Sequence, residues 1–276
     1  MEKYSVLMSL YSKEHPEYLC QALDSMINQT IKPDEIVLVE DGPLTDDLYA
    51  VSEKYKDKYP ELLHIVINEK NLGLGLALNR GLEVCRNELV ARMDTDDISK
   101  PARCEKQLKR FKEKPELAII GSHIDEFVGS IDNVISQRKV PVTSEAIYEY
   151  AKKRSAFNHP TVMYRKSAVL AECGYSNLRR NQDVDLFGRM LFKGYKAENI
   201  DEALLWFRCS DELAARRKSC ENTWSYIATI KKFWKMGYSS FPDFTVVAVA
   251  QTVMYFMPLQ IQNYIYKKLL RRGTAQ

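Results

Sequence analysis

Polar and acidic residues follow three apolar segments of strand length, at the point where each segment ends. The groups are Ser9 and Tyr11, then Glu40 and Asp41, then Asp94, Asp96 and Asp97. A single aspartate in such a place is explained as the N-cap of the next helix. Three aspartates within four positions repel one another unless a cation lies between them. Mg²⁺ or Mn²⁺, held by carboxylate oxygens and by the phosphates of a substrate, meets that requirement.

The segments that carry these groups alternate with helical patterns over the first hundred residues. Strands are predicted at Tyr4–Leu10, Glu35–Val39, Leu63–Asn68 and Leu89–Met93, and helices at Glu17–Gln29, 44–58 and Gly75–Cys85. Continuous apolar strands separated by helices are typical of a parallel sheet covered on both faces, so a doubly wound α/β domain is predicted. In such a sheet, ligands bind outside the carboxyl ends of the strands. The polar groups therefore converge on a ligand site at one edge.

The pattern is less regular after Pro101. It predicts helices at Ala102–Lys114, Ser144–Arg154, Lys166–Cys173 and Asp183–Gly194, with short strands at Ala118–Ser122, Ile124–Phe127, Thr161–Tyr164 and Leu204–Phe207.

The two commonest phosphate-binding loops are missing from the sequence. No GxxxxGK[ST] segment occurs, and a dinucleotide fingerprint starting at Gly73 would need a third glycine where Leu78 stands. A phosphate must then be held mainly through the metal and by side chains. Enzymes that use nucleotide-diphosphate sugars work in this way.

Composition limits the class of protein further. The chain has 276 residues, of which 45% are hydrophobic and 28% charged, and its formal net charge is +3. These values are typical of a globular protein, and they exclude a disordered or low-complexity chain. A nucleic-acid binder would spread basic residues over its main domain, whereas here the basic excess falls within residues 201–276. Six scattered cysteines without a CxxC pair, and no secretion signal, predict a cytosolic protein with reduced thiols.

Four blocks of the chain resemble, in order and spacing, those of family-two, inverting glycosyltransferases with the GT-A fold. The blocks are SVLMSLYSKEHPEYLCQALDSMINQT, EIVLVEDG, NLGLGLALNRGLEVC and LVARMDTDDISKPARCEKQL. The resemblance covers residues 3–210 and implies a Rossmann-like, mixed and mainly parallel sheet flanked by helices. The segments RMDTDDISKP and KKRSAFNHPTVMYRKSAV are similar to those of bacterial enzymes that build O-antigen, capsule and exopolysaccharide repeat units on a lipid carrier.

The resemblance implies a set of residues around the nucleotide sugar. They are Ser9, Tyr11, Glu40, Asp41, Asn71, Asp94, Asp97 and Arg208. Tyr11 would lie against the uracil and Asp41 would hydrogen-bond it; the alternative for Tyr11 is a half-buried core tyrosine. Asp96 is the implied metal ligand, with Asp94 toward the ribose or a metal-bound water. Some relatives place the metal at the position of Asp97, so that choice stays open.

The implied catalytic base lies in the segment NQDVDLF, which resembles the family's E-D-x-D-L-W block. Asp183 matches the catalytic aspartate, and Gln182 replaces the usual glutamate. Asp185 either caps the helix or contacts the acceptor. His159 either reaches the donor sugar and its phosphates or is a structural hydrogen-bonding residue. Ser210 stands where relatives carry a histidine, so no third metal ligand is expected there, and Arg216 and Arg217 are further candidates for phosphate binding.

The C-terminal stretch 244–266 contains no charged residue and is followed by four basic residues at 267–272. Its glutamines and Pro258 argue against a membrane span, so an interfacial helix on an anionic membrane surface is predicted. The alternatives are a helix packed on the catalytic domain and an interface with a second subunit, as in a homodimer. The predicted domains are 1–210, catalytic, with a nucleotide-binding half 1–100 and an acceptor half 101–210, and 211–276, a helical tail.

These expectations combine into one predicted function. The enzyme would use Mn²⁺ or Mg²⁺ to move a hexose, with inversion, from a UDP-sugar to a polyprenyl-diphosphate-linked saccharide on the cytoplasmic face of the bacterial inner membrane. A nucleotidyltransferase that makes sugar nucleotides is one alternative, but it needs a glycine-rich, basic N-terminal loop, which SLYSKEHPEYL is not. A non-catalytic nucleotide-binding protein is the other.

Overall fold

The computed structural model describes residues 2–209, 219–258 and 261. The described strands are β1 (Tyr4–Leu10), β2 (Glu35–Asp41), β3 (Leu63–Asn68), β4 (Leu89–Met93), β5 (Ile98–Ser99), β6 (Leu117–Phe127), β7 (Val134–Arg138), β8 (Met163–Arg165) and β9 (Lys196–Arg208). The described helices are α1 (Pro16–Ile27), α2 (Asp46–Lys58), α3 (Leu74–Val84), α4 (Arg103–Glu113), α5 (Ser144–Ala151), α6 (Lys166–Ala171), α7 (Gln182–Phe192), α8 (Cys220–Lys235) and α9 (Phe241–Phe256).

All nine strands form one mixed sheet, in the order β3-β2-β1-β4-β8-β6-β9-β5, with β7 paired to β6. Strands β3, β2, β1 and β4 are parallel, and β8 runs antiparallel between β4 and β6. The predicted parallel half is confirmed. Because all four of its strands point the same way, the residues that follow β1, β2 and β4 meet at one edge.

Both faces of the sheet are covered because alternate residues of each strand pack on opposite helical layers. In β1, Leu7 belongs to the apolar cluster formed with α3, α7 and α8, whereas Val6 and Met8 belong to the cluster formed with α1, α2 and α4. These side chains are fully buried. The continuous apolar runs of the sequence are explained by this double coverage.

Helix α8 packs directly on α7, the helix that carries the predicted base. A Cβ at Gly188 of α7 would lie 2.0 Å from the Phe233 ring of α8, so only glycine lets the two helices approach this closely. Ile230 and Phe233 are fully buried in the same cluster as the α3 residues. Helix α8 is therefore part of the core.

Helix α9 follows α8 and is much more exposed. Its Phe244 ring stacks on Trp234 of α8, 5.5 Å between centroids, while Val247 is its one buried residue. None of the helices in the described ranges is long and apolar enough to cross a membrane. The basic cluster 267–272 and the aromatic residues Tyr264 and Tyr266 lie outside the described residues.

Several predicted elements differ in the structure. The two strands predicted within 118–127 form one continuous strand, β6, and His159–Thr161 forms a 3₁₀ turn before β8 rather than the opening of a strand. Helix α2 begins at Asp46, two residues later than predicted, because the Thr45 hydroxyl accepts a hydrogen bond from the amide of Leu48 and caps it.

Candidate active site

The acidic loop after β4 brings three carboxylates together. Oxygens of Asp94, Asp96 and Asp97 lie within 4.8 Å of one another. Arg208, at the end of β9, fixes this loop: its amide donates to Asp97 Oδ1 (2.9 Å) and its Nε donates to the Asp96 carbonyl (2.8 Å). The guanidinium is itself held over the Tyr18 ring, 3.9 Å from the centroid. Arg208 therefore acts on the geometry of the loop.

The electrostatics of this cluster fit a divalent cation. Burial, together with the charges of Asp94 and Glu14, raises the pKa of Asp96 to about 7, and burial raises the pKa of Asp97 well above its ordinary value. Asp97 Oδ2 is buried, and no hydrogen-bond partner lies within its reach in the described part of the chain. A cation would supply the missing partner and offset the repulsion. Asp96, Asp94 and Asp97 are the residues that would hold it.

A buried arginine lies beneath the cluster. Arg92 of β4 is 1% exposed and pairs through Nη2 with Asp94 Oδ1. Its Nε and Nη1 have no hydrogen-bond partner within the described ranges. Its charge also acts on Asp183 and His159. Arg92 is thus a fixed positive charge in the floor of the site.

The cluster opens into a cavity of about 270 Å³. The cavity is lined by Asp94, Ile124, Arg138, Ser155, Phe157, Asn158, His159, Pro160, Asn181, Asp183, Val184, Phe207 and Tyr226. The structure therefore brings together three of the predicted residues, Asp94, His159 and Asp183, which are separated by up to 89 positions in the chain.

Asp183 lies in the first turn of α7, after Asn181 in the left-handed conformation (φ 60°). Burial raises the pKa of Asp183 above its ordinary value, while the amides of Val184 and of Asp183 itself, and the charges of Arg92 and Arg138, oppose the rise. A carboxylate with a raised pKa at a helix N-terminus is suited to accept a proton near neutral pH.

His159 is on the cavity wall but is held by a tyrosine. Its Nε2 lies 2.9 Å from the Tyr175 hydroxyl. Burial, reinforced by the charge of Arg92, lowers the pKa of His159 well below its ordinary value. The ring is therefore neutral, and His159 can offer a hydrogen bond to a ligand but no charge.

The last two residues of β2, Glu40 and Asp41, point in opposite directions because successive side chains of a strand alternate. Asp41 accepts hydrogen bonds from Asn68 Nδ2 and from the amides of Leu72 and Gly73, which shapes the loop entering α3. Glu40 accepts from the Ser52 hydroxyl of α2 and lies on the other face. Glu40 is thus directed into the helical layer rather than toward the ligand edge.

The remaining predicted residues are placed as follows. Ser9, near the end of β1, and Tyr11, directly after it, are half-buried, and the exposed Asn71 donates through Nδ2 to the Asp41 carbonyl. Gln182 is buried beside Gly75, where an added Cβ would lie 3.3 Å from it. Ser210, Arg216 and Arg217 lie outside the described residues.

Asp185 is not brought to the cavity. Its carboxylate is fully buried, pairs with Lys232 of α8 and Arg189 of α7, and accepts from the Ser176 hydroxyl. These partners hold α7 in place, so the expected contact with acceptor is replaced by a structural role.

The residues around the site that were not predicted include three charged side chains and a tyrosine. They are Glu14, Arg92, Arg138 and Tyr226. Arg92 had a signal, since it is the one charged residue in the apolar run LVARM. Glu14 follows the carboxyl end of β1, just as Asp94, Asp96 and Asp97 follow the carboxyl end of β4. Arg138 and Tyr226 come from β7 and α8, and no local pattern links these elements to the site.

A mixed α/β sheet with three clustered carboxylates, beside a cavity that Asp94 and Asp183 both line, is compatible with an enzyme that binds a nucleotide-diphosphate substrate through a divalent cation. The family model described as "Glycosyl transferase family 2" matches residues 5–173. The chain belongs to this family and is a glycosyltransferase, as predicted.

Relatives cover nearly the whole chain. It is similar to the UDP-Gal:alpha-D-GlcNAc-diphosphoundecaprenol beta-1,3-galactosyltransferase of Escherichia coli, with 34% identity over 270 residues, 98% of this chain and 97% of that one. It is also similar to the amylovoran biosynthesis glycosyltransferase AmsE of Erwinia amylovora, with 35% identity over 271 residues, 96% of this chain and 98% of that one.

Solved structures confirm the predicted GT-A fold. The crystal structure of residues 1–349 of TarS from S. aureus aligns with a TM-score of 0.65 at 17% identity, covering 97% of this chain and 75% of that one. The mannosyltransferase PcManGT of Pyrobaculum calidifontis, in complex with GDP-Man and Mn2+, aligns with a TM-score of 0.61 at 13% identity. The alignment covers 95% of this chain and 83% of that one.

Proposed function

We propose that the protein transfers a hexose from a UDP-sugar, with inversion, to a sugar hydroxyl of a polyprenyl-diphosphate-linked acceptor in cell-surface polysaccharide synthesis. The observation that carries the proposal is the cavity whose wall holds both Asp94, of the carboxylate cluster, and Asp183. The E. coli relative supports the choice of donor and acceptor, since its name gives UDP-Gal and a diphosphoundecaprenol-linked GlcNAc.

The reaction is a single displacement. The acceptor hydroxyl oxygen forms the new bond to the anomeric carbon, its proton passes to a carboxylate oxygen of Asp183, and the bond from the anomeric carbon to the diphosphate oxygen breaks, so that UDP leaves with the electron pair. An α-linked donor gives a β-linked product. The raised pKa of Asp183 makes it a stronger base than an exposed aspartate.

The carboxylate cluster would hold the metal through Asp96, with Asp94 and Asp97. A bound Mn²⁺ or Mg²⁺ supplies charge that stabilises the diphosphate as it leaves. Arg208 keeps the cluster in shape through its bonds to Asp96 and Asp97.

The uridine would lie at the carboxyl ends of β1 and β2. Tyr11 offers a ring for the uracil, and Asp41 fixes the loop on which Asn71 lies. Both Asp41 oxygens accept amide hydrogen bonds from that loop, which fixes the carboxylate in one orientation. Ser9 follows the same edge, and its carbonyl accepts a hydrogen bond from the Thr95 hydroxyl of the metal loop.

The test is a transfer assay with UDP-galactose and other UDP-hexoses as donors and a short lipid that carries GlcNAc-diphosphate as the acceptor. Each donor is assayed once in the presence of Mn²⁺ and once in the presence of a chelator. We expect transfer that needs the metal and a β-linked product by NMR. Retention of the donor's anomeric configuration would contradict the single displacement. Release of diphosphate from UTP and a sugar phosphate would instead identify a nucleotidyltransferase.

The exposed face of α9 supports a location on the cytoplasmic membrane surface. Val246, Val249, Val253 and Phe256 are 52–77% exposed and fall on one side of the helix. An apolar helix face and a cationic segment are two weak membrane signals that together hold a soluble domain reversibly. The substitutions Val249→Asp and Phe256→Asp should release the protein from anionic vesicles.

A matched control uses an exposed apolar residue elsewhere. Ile67, on the edge strand β3, is 68% exposed, and Ile67→Asp should leave vesicle binding unchanged. Equal binding of the α9 variants and the wild type in a sedimentation assay would refute the membrane proposal.

A further inference from the structure

Residues from two separate parts of the sheet line the cavity. Asp94, of the metal-binding cluster, follows β4, whereas Arg138 ends β7, and strands β8 and β6 lie between β4 and β7 in the sheet. Asp183 is within the electrostatic reach of two arginines, Arg92, which pairs with Asp94, and Arg138 on β7. In an inverting displacement the acceptor approaches opposite the leaving diphosphate. The Arg138 end is therefore the acceptor end.

Arg138 is the one Lys or Arg side chain among the described residues that line the cavity. His159 also lines the cavity, but its ring is neutral because burial lowers its pKa, so it offers no positive charge to a ligand. Arg138 Nη2 donates to the Ser155 carbonyl (3.5 Å), which fixes the guanidinium on the wall next to Ser155 and Tyr226. The acceptor end thus has a positioned guanidinium, a group suited to phosphate oxygens.

The acceptor's chemistry places a second diphosphate close to the base. The reacting hydroxyl and the diphosphate of a sugar-1-diphosphate are attached to the same pyranose ring, so the diphosphate lies one ring away from Asp183. Two negative charges at the mouth of a half-buried cavity need a cationic partner. The metal cluster cannot supply it, because its charge serves the donor.

We propose that Arg138 binds the diphosphate of the acceptor and thereby makes the enzyme prefer lipid-diphosphate sugars to simple glycosides. This inference rests on the proposed function, since it assigns one residue to the acceptor named there. Arg138 is a specificity-determining residue, separate from the base and from the metal ligands.

The test compares two acceptors that share one sugar and one alkyl chain, with and without the intervening diphosphate. The wild type should prefer the diphosphate acceptor. Arg138→Gln should lower kcat/KM for that acceptor about 10- to 100-fold, mainly through KM, which is what the loss of a charge-assisted contact gives. The alkyl glycoside should lose much less, and in kcat rather than in KM, because Arg138 also acts on the pKa of Asp183. The KM for the UDP-sugar should not change.

Two further variants keep the result interpretable. Arg110→Gln removes a guanidinium from α4, where it pairs with Glu113 and Glu198, and should leave both acceptors unaffected. Arg138→Lys keeps the charge without the planar fork and should show an intermediate loss confined to the diphosphate acceptor. This second variant decides the matter if Arg138→Gln does not fold, as judged by thermal melting.

Three results would overturn the assignment. The first is an equal loss of kcat/KM with both acceptors in Arg138→Gln. The second is a raised KM for the UDP-sugar in that variant, which would place Arg138 on the donor diphosphate. The third is a wild type that shows no preference between the two acceptors. If the wild type transfers sugar to neither acceptor, the proposed function fails, and this assignment falls with it.

Discussion

The ion pair between Lys232 of α8 and Asp185 of α7 offers a quantitative test of how α8 supports α7, the helix that carries the proposed base. The Asp185 side chain is fully buried, and Lys232 is its partner from the other helix. Lys232→Met keeps most of the apolar stem of the side chain and removes the charge. The variant should be less stable, and its catalytic helix should be less firmly held.

The magnitude follows from what remains around Asp185. Removing one partner of a buried pair costs about 3–5 kcal/mol when the other charge is left alone. Here Arg189 and the Ser176 hydroxyl still contact the carboxylate, and the Lys232 side chain is 48% exposed, so solvent already weakens the pair. We expect a loss of about 1–2 kcal/mol, or about 2–4 °C in Tm for each kcal/mol in a chain of this size.

The loss should depend on pH in a defined direction. Burial raises the pKa of Asp185, but the hydrogen bonds from Lys232 and Ser176 and the charge of Arg189 outweigh it, so the pKa lies below its ordinary value. A depressed carboxylate pKa stabilises the fold above the unfolded-state value of about 3.9, and this stability is lost as the pH falls through the folded-state pKa. The difference between wild type and Lys232→Met should therefore be full near neutral pH and shrink in acid.

Thermal melts of the two proteins at about pH 7 and about pH 3 measure this difference. Lys231→Met is the matched control, because Lys231 is the exposed neighbour on the same helix, and it should melt as the wild type does. A Tm difference between wild type and Lys232→Met that is equal at both pH values would refute the electrostatic reasoning.

Three further outcomes are expected. Gly188→Ala should cost about 1–3 kcal/mol in chemical denaturation, because its Cβ would meet the Phe233 ring, and an unchanged midpoint would contradict the packing. Asp96→Ala should abolish the gain in Tm that Mn²⁺ with UDP gives the wild type, whereas equal gains would place the metal elsewhere. The rate of transfer should rise with pH through the raised pKa of Asp183, since the base must be ionised, and a rate that falls over that range would exclude this role.

The parallel half of the fold was predictable because its strands are unbroken apolar runs buried on both faces. The bounds of β1, β3 and β4 agree with the prediction to the residue. Strand β5 has two residues, and β7, VISQR, is partly polar, so each owes its existence to pairing with β9 or β6 rather than to its own pattern. Contacts that form only in the folded chain cannot be deduced from a local pattern.

The same limit applies to the site. The proximity of Asp94, Asp96 and Asp97 was predictable because three carboxylates within four positions directly follow an apolar strand. Asp185 was ambiguous because its partner Lys232 stands 47 positions later, and no spacing rule connects them. Arg138 likewise reaches the cavity only through the pairing of β7 with β6.

The role of Asp183 as the base is tested most directly by the turnover of Asp183→Asn, which preserves the size of the side chain and removes its capacity to accept a proton. We expect this variant to fold and its Tm still to rise on addition of Mn²⁺ and UDP. Its kcat should fall about 100- to 10,000-fold. Normal turnover by a folded variant that binds UDP would contradict the account.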